Sequence, residues 1–171
     1  MKKAAESVQE IPLSELHPFK NHPFRVVDDE AMQRTVESVA RFGVLAPALA
    51  RPRREGGYEL VSGHRRMRAS ELAGLTTMPV IVREMDDDTA TIAMVDSNLQ
   101  RETLLPSERA FAYKMKMEAM ERKAGRPPKE NSGQVGRNFQ GKETRELIAE
   151  QTGESARQVQ RFINLTNLIP E

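Results

Sequence analysis

The run RKAGRPPKENSGQVGRNFQGK, residues 122–142, limits what this chain can fold into more than any other feature. It holds four glycines, a Pro-Pro pair and scarcely any aliphatic residue. Such a composition buries too little apolar surface to offset the entropy of ordering it, so the run reads as a linker or long loop. It divides the 171 residues into a larger N-terminal block and a short C-terminal one. It also explains a charge balance that looks uninformative. The formal net charge is +1, yet residues 1–121 carry 17 positive and 19 negative side chains, residues 122–142 carry 6 and 1, and residues 143–171 carry 3 and 5. A basic segment sits between two near-neutral blocks.

No run approaches the roughly 20 apolar residues of a membrane span, and the N-terminus lacks a signal peptide's apolar stretch, so a cytoplasmic protein with no membrane partner is expected. With no cysteine, disulfides, thiolate metal sites and sulfiredoxin-type redox catalysis are excluded. His17, His22 and His64 lack metal-ligand spacing, and no protein-bound metal is expected. Met94, Met115, Met117 and Met120 read as core or interdomain fillers, and Asp86, Asp87 and Asp88 as a loop and helix cap rather than a cation site.

In the first block, Asp28 and Asp29 precede a stretch whose Met32, Val36, Val39 and Ala40 follow helical spacing up to Gly43. Residues 48–53 and 58–63 read as two short strands joined by a glycine turn, and a helix follows from Gly63 to about Ala73, with Met67, Ala69, Leu72 and Ala73 as its buried face. Residues 78–85 form a β-branched strand, and helices are expected at about 88–98 and 106–122, the latter behind Pro106. Strands and helices alternate here, so the block reads as α/β or α+β, and helical structure dominates afterwards, which makes the chain as a whole α+β.

Three motifs carry chemistry. The first is GHRRMRA, residues 63–69, after a strand. Strand, glycine, helix is phosphate-binding grammar, and a histidine with three arginines crowds a helix start whose dipole already disfavours cations. A bound polyphosphate would compensate, through amides near Gly63 and the guanidinium forks. The plainer alternative is a solvated face paired with Glu59, Glu71 or the acidic residues 84–88. The second is SNLQRETLLPSERA, where Asn98 and Arg101 either project toward a ligand or merely cap a helix and pair with Glu102. The third, at about 144–164, fits a helix-turn-helix: Leu147, Ile148 and Ala149 on the first helix, Gly153 in the turn, Val159 and Phe162 on the second. Its exposed face then carries Ser155, Arg157, Gln158, Gln160 and Arg161, types suited to phosphates and base edges. An ordinary helical hairpin is the alternative, and the adjacent basic segment favours DNA.

In order and spacing, these motifs resemble the ParB family of bacterial chromosome and plasmid partition proteins, with its nucleoid occlusion and RepB-type relatives, from about Ile11 to Ile169. GVLAPALAR (43–51) is similar to the family's nucleotide-binding loop, GHRRMRA to its arginine box GERRxRA, and SNLQRETLLPSERA to its ENLQRxxLxPxExA segment. The resemblance implies a ParB/sulfiredoxin-like α/β nucleotide-binding domain over 1–105, then an all-α DNA-binding domain over 106–171. It implies a CTP-binding DNA clamp for plasmid or chromosome partition or related regulation, acting as a homodimer on double-stranded DNA in the cytoplasm, with a partition ATPase as a further partner. Ser62, Gly63, His64, Arg65 and Arg66 would hold the triphosphate. Asn98 and Arg101 would couple nucleotide to the helix-turn-helix, with Asn98 near nucleotide-bound Mg²⁺.

Ala46 stands where the family has glutamine, His64 replaces the box glutamate and Ser97 replaces the glutamate before Asn98. Ser97 argues against efficient CTP hydrolysis, since serine neither places Mg²⁺ nor activates water as a carboxylate does. Rival readings are a ParB-fold small-molecule kinase and a DNA-binding regulator with a decayed nucleotide pocket. The end at Glu171, just after the recognition helix, reads as a piece of a longer chain.

Overall fold

The computed structural model describes residues 7–99, 101, 104–125 and 144–168. Most of the basic run 122–142 lies outside them. The chain divides into two compact units, Met1–Met85 and Asp86–Glu171. The helix beginning at Asp87 packs chiefly against the one beginning at Pro106.

The first unit is built on a five-stranded sheet of β1 (Val8–Pro12), β2 (Leu16–Pro18), β3 (Ala48–Pro52), β4 (Tyr58–Ser62) and β5 (Thr77–Val82), in the order β1-β5-β3-β4-β2. β3 and β4 are the antiparallel pair expected around the glycine turn, with Arg51 opposite Glu59, and β3 runs parallel to β5. β1 lies antiparallel to β5 and β2 parallel to β4. These two edge strands were not anticipated: they are short, end on Pro12 and Pro18, and show no run of alternating residues. Ile11, Leu16, Ala48, Ala50, Leu60, Met78 and Val80 form the core.

Helix α1 (Glu30–Phe42) starts and stops where its sequence signals lie. Asp29 caps it by accepting the Met32 amide at 2.8 Å, and Gly43 ends it at φ +72°. Helix α2 (His64–Leu72) packs against α1 through Ala69, beside Met32 and Val39. Its buried face differs from expectation. Ala69 and Ser70 are buried, Met67 packs against the sheet core, and Leu72 is 46% exposed beside α1. Ser70 tolerates burial because its hydroxyl donates to the Arg66 carbonyl at 2.8 Å.

The second unit is helical: α3 (Asp87–Leu99), α4 (Pro106–Ala124), α5 (Thr144–Thr152) and α6 (Ala156–Leu165). Asp86 accepts the Thr89 amide at 2.7 Å and so caps α3, the role expected of the acidic run. Tyr113, Met120, Ile148, Ala149, Val159 and Ile163 form the core that joins α4 to the α5–α6 pair, and Met94 is fully buried. Among the described residues, no helix is long and apolar enough to cross a membrane.

Candidate functional site

In the first unit the candidate residues converge on the start of α2. Ser62 ends β4 opposite Leu49, and Gly63 turns the chain at φ +110° into the helix. Among the described residues, no side chain caps α2, and no acidic residue lies in its first turn, so its leading amides have no side-chain acceptor. Those amides and the positive end of the helix dipole suit an anion, and a phosphate fits this donor set better than any neutral group.

The three box arginines are differently engaged. Arg68 pairs with Asp28 at 2.6 Å and with Glu71 at 3.3 Å, which holds the Asp28 carboxyl below its ordinary range. Arg66 donates from Nη1 to the carbonyls of Ala46 at 2.6 Å and Pro47 at 2.7 Å. Burial pushes its pKa down, although a guanidinium stays charged throughout. Among the described residues, Arg65 has only a loose contact, 3.9 Å, to Asp29, whose Oδ1 already accepts the Met32 amide. It is therefore the box cation with most freedom to meet a ligand. Glu59, one of the partners weighed for these arginines, is instead taken by Arg51 at 2.6 Å.

His64 does not reproduce the carboxylate it replaces. Its Nε2 accepts the Phe19 amide at 3.3 Å, and its ring lies 3.8 Å from that of His22. Burial, with His22 adding to it, pushes the His64 pKa down to about 3. The ring is thus neutral at physiological pH, with its proton on Nδ1, and ties residue 19 to the helix start.

In the second unit, Asn98 lies in the last turn of α3 and donates to the Met94 carbonyl at 2.8 Å, while Arg101 reaches its Oδ1 at 3.5 Å. Ser97 donates to the same carbonyl at 2.9 Å, so its hydroxyl is spent within the helix. Gln100 and Glu102 lie outside the described residues. The sequence reading missed a buried cation here. Lys116 of α4, 1% exposed, pairs with Asp96 and donates to Gln151 of α5. It bridges the end of α3 to the first helix of the helix-turn-helix. Its signal was a lysine on the same helical face as Ala112, Tyr113, Ala119 and Met120.

Helices α5 and α6 meet around Gly153, whose φ of +71° makes the turn. Arg109 of α4 pairs with Glu154 at 2.6 Å and lies over the Phe162 ring, seating the turn against α4. The five candidate DNA contacts separate into two groups. Ser155 and Gln158 form a capping box, with Gln158 N donating to Ser155 Oγ at 3.2 Å and Ser155 N to Gln158 Oε1 at 2.9 Å. Gln160 accepts from Arg145 at 3.0 Å and donates to Asn164 at 2.8 Å. Arg157 and Arg161 are exposed, and among the described residues neither has an ion pair.

Comparisons with known proteins bear on family and fold. The profile described as the ParB N-terminal domain matches residues 1–99. The stage 0 sporulation protein J of Bacillus subtilis is 44% identical over 108 residues, which cover 63% of this chain and 38% of that protein. A crystal structure of C-terminally truncated ParB from Caulobacter crescentus, complexed to the centromeric parS site, is 30% identical with a TM-score of 0.60, covering 95% of this chain and 73% of that one. The same protein complexed with CTP-gamma-S is 31% identical with a TM-score of 0.52, covering 96% and 81%. The chain spans about two fifths of the length of the curated relatives it matches.

Proposed function

Since this chain belongs to the ParB N-terminal domain family, we propose that it is a DNA-binding protein of the partition type whose first unit holds a nucleoside triphosphate. The observation that carries this reading is α6, the second helix of a helix-turn-helix, with Arg157 and Arg161 exposed and without an ion pair among the described residues. A guanidinium there can lie along a phosphate or fork onto a guanine edge. The nucleotide half rests on the uncapped, cationic start of α2, where a triphosphate supplies the missing negative charge. Support comes from the Caulobacter crescentus ParB structures, solved with parS and with CTP-gamma-S.

CTP is the nucleotide this reading assigns, with Mg²⁺ carried on its phosphates. Gly63 and Arg65 face the phosphate, and Asn98 and Arg101 couple nucleotide to the helix-turn-helix through the Asp96–Lys116–Gln151 bridge. Clamp closure between two protomers and a partition ATPase partner belong to the same reading. Ser97, spent on the Met94 carbonyl, gives slow hydrolysis or none.

The test is a titration of CTP, ATP and GTP with Mg²⁺, alongside a DNA-binding assay at fixed salt. Arg65→Ala should weaken CTP binding by about tenfold to a hundredfold, the worth of a charge-assisted bond, and leave basal DNA affinity unchanged. Arg157→Ala should cost about 1–3 kcal/mol on cognate DNA with specificity relaxed at one position, or an equal loss on all sequences if it contacts only phosphate. No binding of any nucleotide by the wild type overturns the nucleotide half. No DNA binding overturns the whole.

A further inference from the structure

The loop between α1 and β3, residues 44–47, belongs to no helix or strand, and its apolar residues face opposite ways. Val44 packs against two core clusters, whereas Leu45 is 80% exposed. Such a loop needs an outside tether to keep one shape, because its backbone lies outside the helical and sheet ladders. Arg66 supplies one. Its Nη1 carries two hydrogens and meets two consecutive carbonyls, of Ala46 and Pro47, at 2.6 and 2.7 Å. The guanidinium runs beside Gly63, where a side chain would lie 3.4 Å from Nη2. Ala48, the next residue after the loop, packs against the same point, with its Cβ 2.8 Å from it. Helix start, loop and first core residue of β3 are thus held as one block.

We infer that Arg66 is a positioning residue, which in the nucleotide-free protein pins the 44–47 loop to the start of α2, and that Arg65 is the box cation left to meet the phosphate. Only the second clause rests on the nucleotide reading. The tether uses backbone carbonyls, so the identity of the side chain at position 46 does not matter to it, and alanine there keeps the loop in place. A phosphate that drew Arg66 away would first have to break two charge-assisted bonds, whereas Arg65 gives up only its 3.9 Å contact with Asp29.

Hydrogen exchange of the nucleotide-free full chain tests the tether without any ligand. In Arg66→Met, which keeps the aliphatic stem and removes the donors, amides of 43–49 should exchange about tenfold faster, as expected on losing a charge-assisted bond, while α1 amides stay protected. Arg66→Lys should sit close to wild type, because an ammonium can also donate to both carbonyls. Arg65→Ala should leave the loop's exchange unchanged. Wild-type exchange in Arg66→Met, or an equal rise in Arg65→Ala, overturns the inference. Should Arg66→Met not fold, Arg66→Gln, whose amide is too short to reach both carbonyls, gives the same readout. Failure of wild-type protein to bind CTP would count against the nucleotide reading and the role given to Arg65, and the loop exchange would still decide the tether.

Discussion

Gly63→Ala is expected to destabilise the first unit by about 2–5 kcal/mol and, on the function proposed above, to remove nucleotide binding with it. Two independent costs add. At φ +110° an L side chain is strained, by about 1–2 kcal/mol for left-handed backbone. The new methyl would also lie 2.8 Å from the Ala48 Cβ and 3.3 Å from its Cα, closer than carbon atoms pack. Ala48 cannot retreat, since it is 1% exposed and sits opposite Val80 in the sheet. Overpacking a site this tight costs about 1–3 kcal/mol. Urea unfolding, read through exchange of β3 and β4 amides, measures the sum. The double mutant Gly63→Ala/Ala48→Gly separates the terms, because it relieves the clash and leaves the backbone strain. A variant within about 0.5 kcal/mol of wild type would show that the turn relaxes freely, and the rigid block formed by helix start, loop and β3 would fall with it.

How much of this was legible from residues alone follows from where the information lies. The ends of α1 were readable because Asp29 and Gly43 act locally, through a side-chain cap and a positive φ. The helix-turn-helix was readable for the same reason: Gly153 and the periodic Ile148, Ala149, Val159 and Phe162 encode it within about twenty residues. β1 and β2 were not, since each exists only through pairing with a strand far along the chain, β5 and β4. The candidate site shows the same limit. That arginines gather at the start of α2 is visible in GHRRMRA. Which of them is free is not, because Arg66 is bound by loop carbonyls and Arg68 by Asp28, forty positions away. Likewise Ser155 and Gln158 have the right chemistry for DNA, yet their first use is to cap α6. Residue type announces what a side chain can do, and tertiary contacts decide how much of that capacity remains.

Lys116 makes the second large prediction, and its two partners should respond unequally. Asp96→Ala removes the counter-charge and leaves an ammonium 1% exposed with, among the described residues, only the Gln151 oxygen to meet it. Breaking a buried pair from one side costs about 3–5 kcal/mol; Asp96 is 47% exposed and partly screened, so about 2–3 kcal/mol is expected. Lys116→Met should be close to neutral, because it deletes the cation itself, keeps a flexible apolar chain in the same space among Tyr113 and Met120, and returns Asp96 to water. The double mutant should therefore be more stable than Asp96→Ala alone, an inversion of ordinary additivity that urea unfolding of the three variants would detect. The comparison also separates stability from coupling. If the Asp96–Lys116–Gln151 bridge carries the nucleotide signal from the Asn98 segment to α5, Lys116→Met should fold as well as wild type and bind CTP and DNA separately with unchanged affinity. The dependence of DNA binding on CTP should then fall toward zero, whereas a purely structural lysine would leave that dependence intact.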